Sequence, residues 1–282
     1  MSAPEIYGLV GYPVKHSVSP AMHNAAFQAL RINAKYKLFE VQPELLGSFL
    51  QSSAKENIRG FNVTIPYKET MVNYVDQLTE EARVIGAVNT VKICDGRTMG
   101  HNTDALGFLQ HLMDVYVKSL YNQTVSVIGA GGAARAVVQS LAAEGAGKIL
   151  IYDIQKEKAE SIVDKVTENF EVANVEAVDS IDSLLEVVPD LLINSSPIGM
   201  NELDPVLVNV NKLSASTFVY DLIYNPQQTK LLQLARAKGC KYSNGLGMLL
   251  YQGMKSFEYW TGRQPSVEVM RKALVDEMAK HK

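Results

Sequence analysis

Cysteine is scarce in this sequence, and the two that occur, Cys94 and Cys240, are far apart. Such a pair forms neither a disulfide framework nor a metal-ligand pattern, so a reducing compartment such as the cytoplasm is the simpler expectation. The five histidines also lack the spacing of a metal site. We therefore expect a fold that depends on neither disulfides nor a metal.

Long apolar runs and an excess of positive charge are missing too. No segment is long and apolar enough to span a bilayer, and no charged region followed by an apolar one begins the chain, so neither a membrane protein nor a secreted one is expected. The net charge of −3 and the absence of basic runs argue against a nucleic-acid partner. A chain of 282 residues with 47% hydrophobic residues is typical of a globular protein with one large domain or two.

The clearest motif is TVSVIGAGGAARAV at residues 124–137. It predicts a buried strand, a glycine turn and a helix, and Gly129, Gly131 and Ala134 fall on a G-x-G-x-x-A spacing. The first glycine permits a tight turn, the second lets a pyrophosphate approach the backbone, and the alanine lets helix and strand pack closely. The pattern favours a dinucleotide site, and the alternative is a strand-to-helix turn without a ligand.

Strands and helices alternate along most of the chain, which predicts parallel sheets with right-handed crossovers. In the first hundred residues we expect a βαβα arrangement in which Ser19 caps a helix that runs to about Leu30, Pro43 opens a second helix, and a third begins near Lys68. The predicted strands are Ile6–Val10, Tyr36–Val41, Gly60–Ile65, Ala87–Cys94, Val125–Ile128, Ile149–Tyr152, Val175–Ala177, Leu191–Asn194 and Phe218–Asp221.

These elements predict an α/β protein of two domains. Residues 1–104 form the first domain, and residues 105–244 form a doubly wound parallel domain of the Rossmann type. Residues 245–282 hold two amphipathic helices, Met248–Thr261 and Val267–Ala279, with no strand after them. We expect these helices to pack back on the first domain, which makes that domain discontinuous.

Asp153 directly follows the second strand of the dinucleotide domain. An acidic residue at this distance from the glycines usually accepts hydrogen bonds from the adenosine ribose, and a carboxylate there repels a 2′-phosphate. Asp153 therefore favours NAD over NADP, although Lys156 and Lys158 follow closely and oppose this. The alternative is that Asp153 caps the next helix.

Polar residues also collect at strand-to-helix junctions of the first domain, where α/β proteins place ligands. Lys68 is either a general acid/base or a solvated lysine, and the sequence around it alone favours the second. Asp104 is either its partner or a helix cap, and a Lys–Asp pair in a closed site can pass a proton. Ser17 and Ser19, beside a helix start, are either a carboxylate pocket or ordinary caps.

Taken in order, eight stretches together resemble the shikimate dehydrogenase family, including its quinate/shikimate relatives. They are KHSVSP, NVTIPYK, IGAVNT, NTDALG, VIGAGGAAR, NSSPIGM, YDLIYNP and GLGMLLYQG, and they cover nearly the whole chain. The resemblance implies reversible reduction of 3-dehydroshikimate to shikimate by a nicotinamide cofactor, a step towards chorismate and the aromatic amino acids. It also implies a first domain that binds substrate and a small-molecule substrate as the main partner, in a monomer or a homodimer.

The resemblance carries roles over to individual residues. It implies that Lys68 and Asp104 are the catalytic pair, that Ser17 and Ser19 hold the substrate carboxylate with help from Tyr224, and that Thr64, Asn89 and Gln252 bind the ring hydroxyls. The cofactor residues it implies are Gly129, Ala130, Gly131, Gly132 and Ala133 in the phosphate loop, Glu80, Leu222 and Gly245 near the nicotinamide end or the cleft, and Asp153 at the ribose.

The family's default cofactor is NADP, and its NADP-using members show an Asn-Arg-Thr-like run where this chain has YDIQKEKA. The expected cofactor is therefore NADP or NAD, with Asp153 favouring NAD. Two other functions stay open, an NAD-dependent dehydrogenase that also oxidises quinate and a non-catalytic dinucleotide-binding regulator. Retention of Lys68 with Asp104 argues against the regulator, because binding alone needs neither.

Overall fold

The structure is a computed structural model that describes residues 3–53, 56–170 and 173–280. It divides into two compact units, one formed by Met1–Gly107 with Leu250–Lys282 and the other by Phe108–Leu249. Each unit is built on its own six-stranded sheet. Among the helices that can be described, none combines the length and the apolarity needed to cross a membrane.

The sheet of the first unit is mixed rather than parallel throughout. β1 lies between β2 and β3 and is parallel to both, whereas β5 is antiparallel to β3 and to β6, in the order β2-β1-β3-β5-β6-β4. The hairpin between β5 and β6 turns at Asp95 and Gly96, which both have positive φ. The strands of this sheet are β1 (Glu5–Gly11), β2 (Ala34–Glu40), β3 (Ile58–Val63), β4 (Gln77–Leu78), β5 (Thr90–Cys94) and β6 (Arg97–His101).

The helices that begin within residues 3–107 are α1 (Ser19–Ala29), α2 (Leu46–Ser53), α3 (Glu80–Ile85) and α4 (Asp104–Val115). The predicted cap of α1 is wrong, because Val18 is the N-cap, Ser19 is the first helical residue, and no side chain caps the helix. The helix predicted near Lys68 is a short 3-10 turn at Thr70–Asn73. Backbone hydrogen bonds join Thr64, Ile65 and Lys68 to Val10, Tyr12 and Val88 in other segments, and these bonds keep residues 64–68 irregular.

The second unit has a fully parallel sheet in the order β12-β11-β10-β7-β8-β9. Counted along the chain within the unit, this is the doubly wound order of dinucleotide-binding domains, whose direction reverses between β7 and β10. Ligands bind such sheets at the carboxyl ends of the two strands flanking that reversal. The strands are β7 (Thr124–Ile128), β8 (Lys148–Tyr152), β9 (Val175–Ala177), β10 (Leu191–Asn194), β11 (Phe218–Asp221) and β12 (Lys241–Asn244).

Apolar, β-branched strands between two helix layers form the core of the second unit. β10 and β11 are buried along their whole length, as both faces of a parallel sheet require. The helices are α5 (Gly132–Ala143), α6 (Lys156–Asn169) and α7 (Lys230–Lys238). α7 begins at a Thr229 cap, whose side chain accepts the Leu232 N–H, and ends at Gly239 with a φ of 87°.

Two long helices, α8 (Leu246–Thr261) and α9 (Val267–Lys280), complete the chain. α9 packs against α1 in the first unit. On α8, the Trp260 indole N–H donates to the Val91 carbonyl at 2.9 Å, which fastens the helix to β5. Both contacts stabilise the sheet that carries the polar residues of the first unit.

A buried histidine interrupts the apolar packing between α1, β2 and α8. The His23 ring is completely buried and stacks on Tyr36 at a centroid distance of 4.3 Å and an angle of 4°. Neither ring nitrogen has a hydrogen-bond partner within the described residues. Loss of hydration lowers the pKa of His23 from 6.5 to about 3, so the ring is neutral in the folded protein.

We expect this histidine to make the first unit sensitive to acid. The pKa of His23 is lower in the folded state than in the unfolded state, so protonation of this ring favours unfolding. The neutral ring's contribution to the free energy of unfolding is complete above pH 6.5 and is lost as the pH falls towards 3. The loss amounts to about 1.4 kcal/mol for each pH unit. His23→Phe keeps the stacking and removes the titration, so urea unfolding between pH 6.5 and 4 should show a shallower loss of stability than in the wild type.

The matched control is His16→Gln, because His16 is exposed and lies on the same stretch of chain. That change should leave the pH slope unaltered. An unchanged slope in His23→Phe would show that other groups cause the acid sensitivity.

Candidate active site

Lys68 and Asp104 form a nearly buried ion pair in the first unit. The Lys68 Nζ lies 2.6 Å from Asp104 Oδ2, and the two side chains are 16% and 4% exposed. The Lys68 carbonyl accepts the Val88 N–H at 2.8 Å, which holds the irregular segment after β3 against the residues that precede β5. The structure thus brings the predicted pair together, and Lys68 is not the solvated lysine that its local sequence favours.

Asn89 holds the other oxygen of the Asp104 carboxylate. Its Nδ2 donates to Asp104 Oδ1 at 2.8 Å, while its Oδ1 accepts the backbone N–H of Thr103 at 2.8 Å. Asp104 is the first residue of α4, and its own N–H donates to Asn102 Oδ1 at 2.9 Å, so Asn102 provides the polar group at this helix start. The carboxylate of Asp104 is therefore available to Lys68 and Asn89 rather than used as a cap.

Gln252 joins the same group from α8. It is 8% exposed, and its Oε1 lies 3.4 Å from Asn89 Nδ2. Thr64 follows β3, with its N–H donating to the Val10 carbonyl at 2.9 Å, and it is half-buried at the end of the strand. Four of the predicted site residues, Lys68, Asp104, Asn89 and Gln252, thus form one connected cluster, and Thr64 lies at the end of the neighbouring strand.

Ser17 and Ser19 lie together at the start of α1. Their hydroxyl oxygens are 3.2 Å apart, and the Ser17 Oγ accepts the Ser19 N–H at 3.3 Å. Ser17 therefore serves the N–H of the first helical residue, as the capping alternative requires, whereas Ser19 lies inside the helix and is not its cap. Two adjacent hydroxyls at the positive end of a helix suit a carboxylate. Glu80, predicted for the cofactor, is the exposed first residue of α3 in this unit.

The glycine motif of the second unit has the predicted local structure. β7 ends at Ile128, Gly129 turns with a φ of 96°, and α5 begins at Gly132 without a side-chain cap. A β-carbon on Gly129 would lie 2.9 Å from the Ser196 nitrogen, whereas one on Gly131 would meet nothing within 4 Å. The loop is therefore packed at its first glycine and open at its second, beside the free N–H groups of a helix start.

The segment after β10 completes this edge of the sheet. The Ser195 hydroxyl donates to the Ile128 carbonyl at 2.7 Å, so it fixes the chain at the end of β7. The buried carboxylate of Asp221 accepts hydrogen bonds from Asn194 at 3.0 Å and from the Thr229 hydroxyl at 2.7 Å. Burial raises the pKa of Asp221 to about 6. This carboxylate, which we did not single out from the sequence, ties together the segments that follow β10 and β11.

Asp153 lies beside the glycine loop, where β7 and β8 run in parallel with Ile128 opposite Tyr152. Its Oδ2 accepts the Ala130 N–H at 2.7 Å and its Oδ1 accepts the Gln155 N–H at 2.8 Å. The cap of α6 is Gln155, without a side-chain bond, so the alternative in which Asp153 caps this helix is wrong.

The remaining cofactor predictions lie further along the second unit. A side chain on Gly245 would overlap the carbonyl oxygen of Leu222, so this glycine is required by close contact between the two segments. The N–H of Leu222 donates to the Asn194 carbonyl at 2.8 Å. Tyr224 is half-buried in the same unit. Its assignment to the substrate carboxylate, like that of Glu80 to the cofactor, stays a prediction of the resemblance.

Three family profiles match this chain. Residues 9–91 match the shikimate dehydrogenase substrate binding domain, residues 111–198 match shikimate / quinate 5-dehydrogenase, and residues 245–275 match the shikimate 5′-dehydrogenase C-terminal domain. A shikimate dehydrogenase (NADP(+)) of Methanopyrus kandleri is 42% identical over 278 residues, which are 97% of this chain and 96% of the relative. This chain belongs to the shikimate dehydrogenase family. Its relatives at this similarity are oxidoreductases.

Solved structures agree with that assignment. The shikimate dehydrogenase of Aquifex aeolicus has a TM-score of 0.89 and 35% identity, over 97% of this chain and 98% of its own. The shikimate 5-dehydrogenase of Listeria monocytogenes, solved in complex with shikimate and NAD, has a TM-score of 0.86 and 33% identity, over 97% of both chains. The predicted α/β fold with a Rossmann-type unit is confirmed.

Proposed function

We propose that this chain catalyses the reversible, nicotinamide-dependent reduction of 3-dehydroshikimate to shikimate, with Lys68 and Asp104 as its proton-transfer pair. The observation that carries this proposal is the buried contact of 2.6 Å between Lys68 and Asp104. A binding protein needs no such pair, whereas an alcohol dehydrogenase must take the hydroxyl proton at a defined place. The family of the chain supplies the substrate class.

A bound nicotinamide would supply the hydride chemistry at the substrate carbon, and the residues of the chain supply the rest. In oxidation, Lys68 Nζ takes the proton of the substrate hydroxyl as a neutral amine and becomes an ammonium, and in reduction the ammonium gives that proton to the carbonyl oxygen. Asp104 holds Nζ in place and compensates its charge. Asn89 donates to the far oxygen of Asp104 and so keeps the carboxylate oriented towards the lysine. These residues supply position and proton transfer.

The residues of the second unit fit a dinucleotide. A pyrophosphate needs backbone N–H groups and room beside them, and the open face at Gly131 with the uncapped start of α5 provides both. Gly129 to Ala133 would hold the phosphates, and Asp153 the adenosine ribose. We propose that NAD is used at least as well as NADP, because of the carboxylate at Asp153.

We propose that the substrate carboxylate binds to Ser17 and Ser19 with help from Tyr224, and that the ring hydroxyls bind to Thr64, Asn89 and Gln252. Support comes from the two hydroxyls that lie 3.2 Å apart at the start of α1, and from the amide groups that converge beside Asp104. Carboxylates bind hydroxyl donors through charge-assisted hydrogen bonds, which are stronger than neutral ones.

Ser17→Ala and Ser19→Ala should weaken shikimate binding by about 1–2 kcal/mol each, the scale of one lost hydrogen bond to a charged group. KM for shikimate should rise while kcat stays close to the wild-type value, because these hydroxyls contact no reacting atom. Steady-state kinetics with varied shikimate measures both. If KM is unchanged and the variants only melt at lower temperature, the hydroxyls serve the fold and not the substrate.

The experiment that tests the proposed function is a spectrophotometric assay at about 340 nm, where a reduced nicotinamide absorbs, with shikimate and quinate each combined with NAD and NADP. Turnover of shikimate supports the proposal. Comparable turnover of quinate with NAD favours the alternative of a dual-specificity dehydrogenase, for which Asp153 is the motivating residue. Cofactor binding without any turnover would identify a dinucleotide-binding regulator.

A further inference from the structure

The hydroxyls of Thr90 and Ser256 are in contact next to Asn89 of the candidate site. Neither the motifs nor the family comparison singles out this contact. Thr90 is the first residue of β5, and Ser256 lies on α8, one turn after Gln252. Both residues are completely buried, and their oxygens are 2.7 Å apart. Either hydroxyl is able to donate in this contact, so the surrounding groups decide the direction.

Asn62 fixes the first part of that direction. The Tyr36 hydroxyl donates to Asn62 Oδ1 at 2.8 Å, and burial raises the pKa of Tyr36 well above its ordinary value, which keeps this donor protonated. The amide nitrogen of Asn62 must therefore point the other way, where it donates to Ser256 Oγ at 2.8 Å and to Thr90 Oγ1 at 3.1 Å. Both hydroxyl oxygens thus receive a hydrogen bond from Asn62.

Asn89 fixes the second part. Thr90 Oγ1 donates to Asn89 Oδ1 at 2.8 Å, on the oxygen that also accepts the Thr103 N–H. A hydroxyl has one proton, so Thr90, which gives its proton to Asn89, can only accept in the contact of 2.7 Å, while the Ser256 proton has two acceptors, Thr90 Oγ1 and the Gln252 carbonyl at 3.0 Å. The hydrogen bonds then run in one direction, from Tyr36 through Asn62 and the Thr90 hydroxyl to Asn89, and Ser256 packs beside this route.

We infer that Thr90 and Ser256 are positioning residues that hold the Asn89 amide in the orientation in which it donates to Asp104. A flipped amide would turn its oxygen towards the Asp104 carboxylate and its nitrogen towards the Thr90 proton and the Thr103 N–H, which are unfavourable contacts in a buried site. The inference deepens the proposed function and rests on it, since Asp104 matters as the partner of Lys68.

The test compares Thr90→Val, which keeps the side-chain shape, with Thr90→Ser, which restores the hydroxyl, and with Ser256→Ala. In Thr90→Val we expect kcat to fall about three- to tenfold, the effect of one positioned hydrogen bond. With one of the hydrogen bonds to Asn89 Oδ1 lost, Asn89 is held less firmly towards Asp104 and Lys68 becomes the main partner of the Asp104 charge, so the midpoint of the pH profile for shikimate oxidation should move to higher pH. Thr90→Ser should recover both quantities.

Matched controls come from the second unit. Thr217 is completely buried and its hydroxyl donates to the Pro189 carbonyl, and the Ser140 hydroxyl donates to the Val137 carbonyl within its own helix. Thr217→Val and Ser140→Ala should lower the melting temperature without moving the pH midpoint. If Thr90→Val and Ser256→Ala also lower the melting temperature without moving the pH midpoint, their hydroxyls act only through stability.

A measurement that needs no turnover separates this inference from the proposed function. NMR hydrogen exchange of the Asn89 side-chain amide should be about tenfold faster in Thr90→Val than in the wild type. Unchanged exchange, or an unchanged kcat and pH midpoint in an active enzyme, overturns the inference. If the wild-type protein oxidises neither shikimate nor quinate but exchange is still faster in Thr90→Val, the positioning role stands and the proposed function is rejected.

Discussion

Lys68→Ala should lower kcat for shikimate oxidation by about two to four orders of magnitude, the range for losing a general acid/base. KM for shikimate should change much less, because other side chains are proposed to bind the substrate. The physical reason is the buried contact between Lys68 and Asp104, which leaves the lysine as the proton acceptor held at this position. Steady-state kinetics at saturating cofactor measures both constants.

Removal of the lysine leaves the Asp104 carboxylate buried without its cation, which destabilises a fold. Lys68→Gln retains a donor for Asp104 and so separates the loss of proton transfer from the loss of folding. The matched control is Lys272→Ala, because Lys272 also pairs with an aspartate, Asp276 at 2.7 Å, but on the exposed surface of α9. A folded Lys68 variant with a kcat close to the wild type would remove Lys68 from the proposed mechanism.

The second unit could be predicted in detail because local rules and tertiary packing agree there. Apolar, β-branched runs gave the buried strands β7, β8, β10 and β11 to within a residue, and the glycine spacing gave the turn and the start of α5. β12 was not predicted because Lys241–Asn244 is short and polar. It lies at the edge of the sheet, where a strand pairs on one side only and does not need an apolar sequence. Its pairing partner β11, and not its own sequence, makes it a strand.

The first unit was harder because its polar residues depend on contacts distant in sequence. From the residues around it, Lys68 looks like a solvated lysine, and only its distance to Asp104, 36 positions away, gives it a chemical partner. Ser19 resembles a helix cap, but the helix starts one residue earlier than a cap at Ser19 would require. Thr90 and Ser256 carry no local signal beyond a polar residue on a buried face, since they meet across 166 positions.

The cofactor preference depends on how the charges around Asp153 are arranged. The relative from M. kandleri is named for NADP(+), and the Listeria enzyme was solved with NAD, so similarity alone leaves both open. Lys156, which could compensate a 2′-phosphate, is engaged elsewhere, with its Nζ 2.5 Å from Asp179 and 3.7 Å from Glu160. Lys158 is exposed and makes no ion pair with the residues that the structure describes.

The Asp153 carboxylate itself is held in place by the backbone N–H groups of Ala130 and Gln155. Each of its oxygens has a second lone pair for a ribose hydroxyl, and each such charge-assisted bond contributes about 1.5–3 kcal/mol. A 2′-phosphate in the same place meets a like charge that cannot easily move away, because the carboxylate is fixed to the glycine loop. From this arrangement we predict a preference for NAD.

We expect kcat/KM with NAD to equal or exceed that with NADP at saturating shikimate, and Asp153→Asn to shift the ratio towards NADP by about one to two orders of magnitude, the scale of one removed charge contact. The asparagine also weakens the bond to Ala130, but this affects both cofactors alike and cancels in the ratio. Asp164→Asn, an exposed change on α6, is the control and should leave the ratio unchanged. A wild-type enzyme that prefers NADP more than about tenfold would show that Lys158, or Lys156 released from Asp179, outweighs the Asp153 carboxylate.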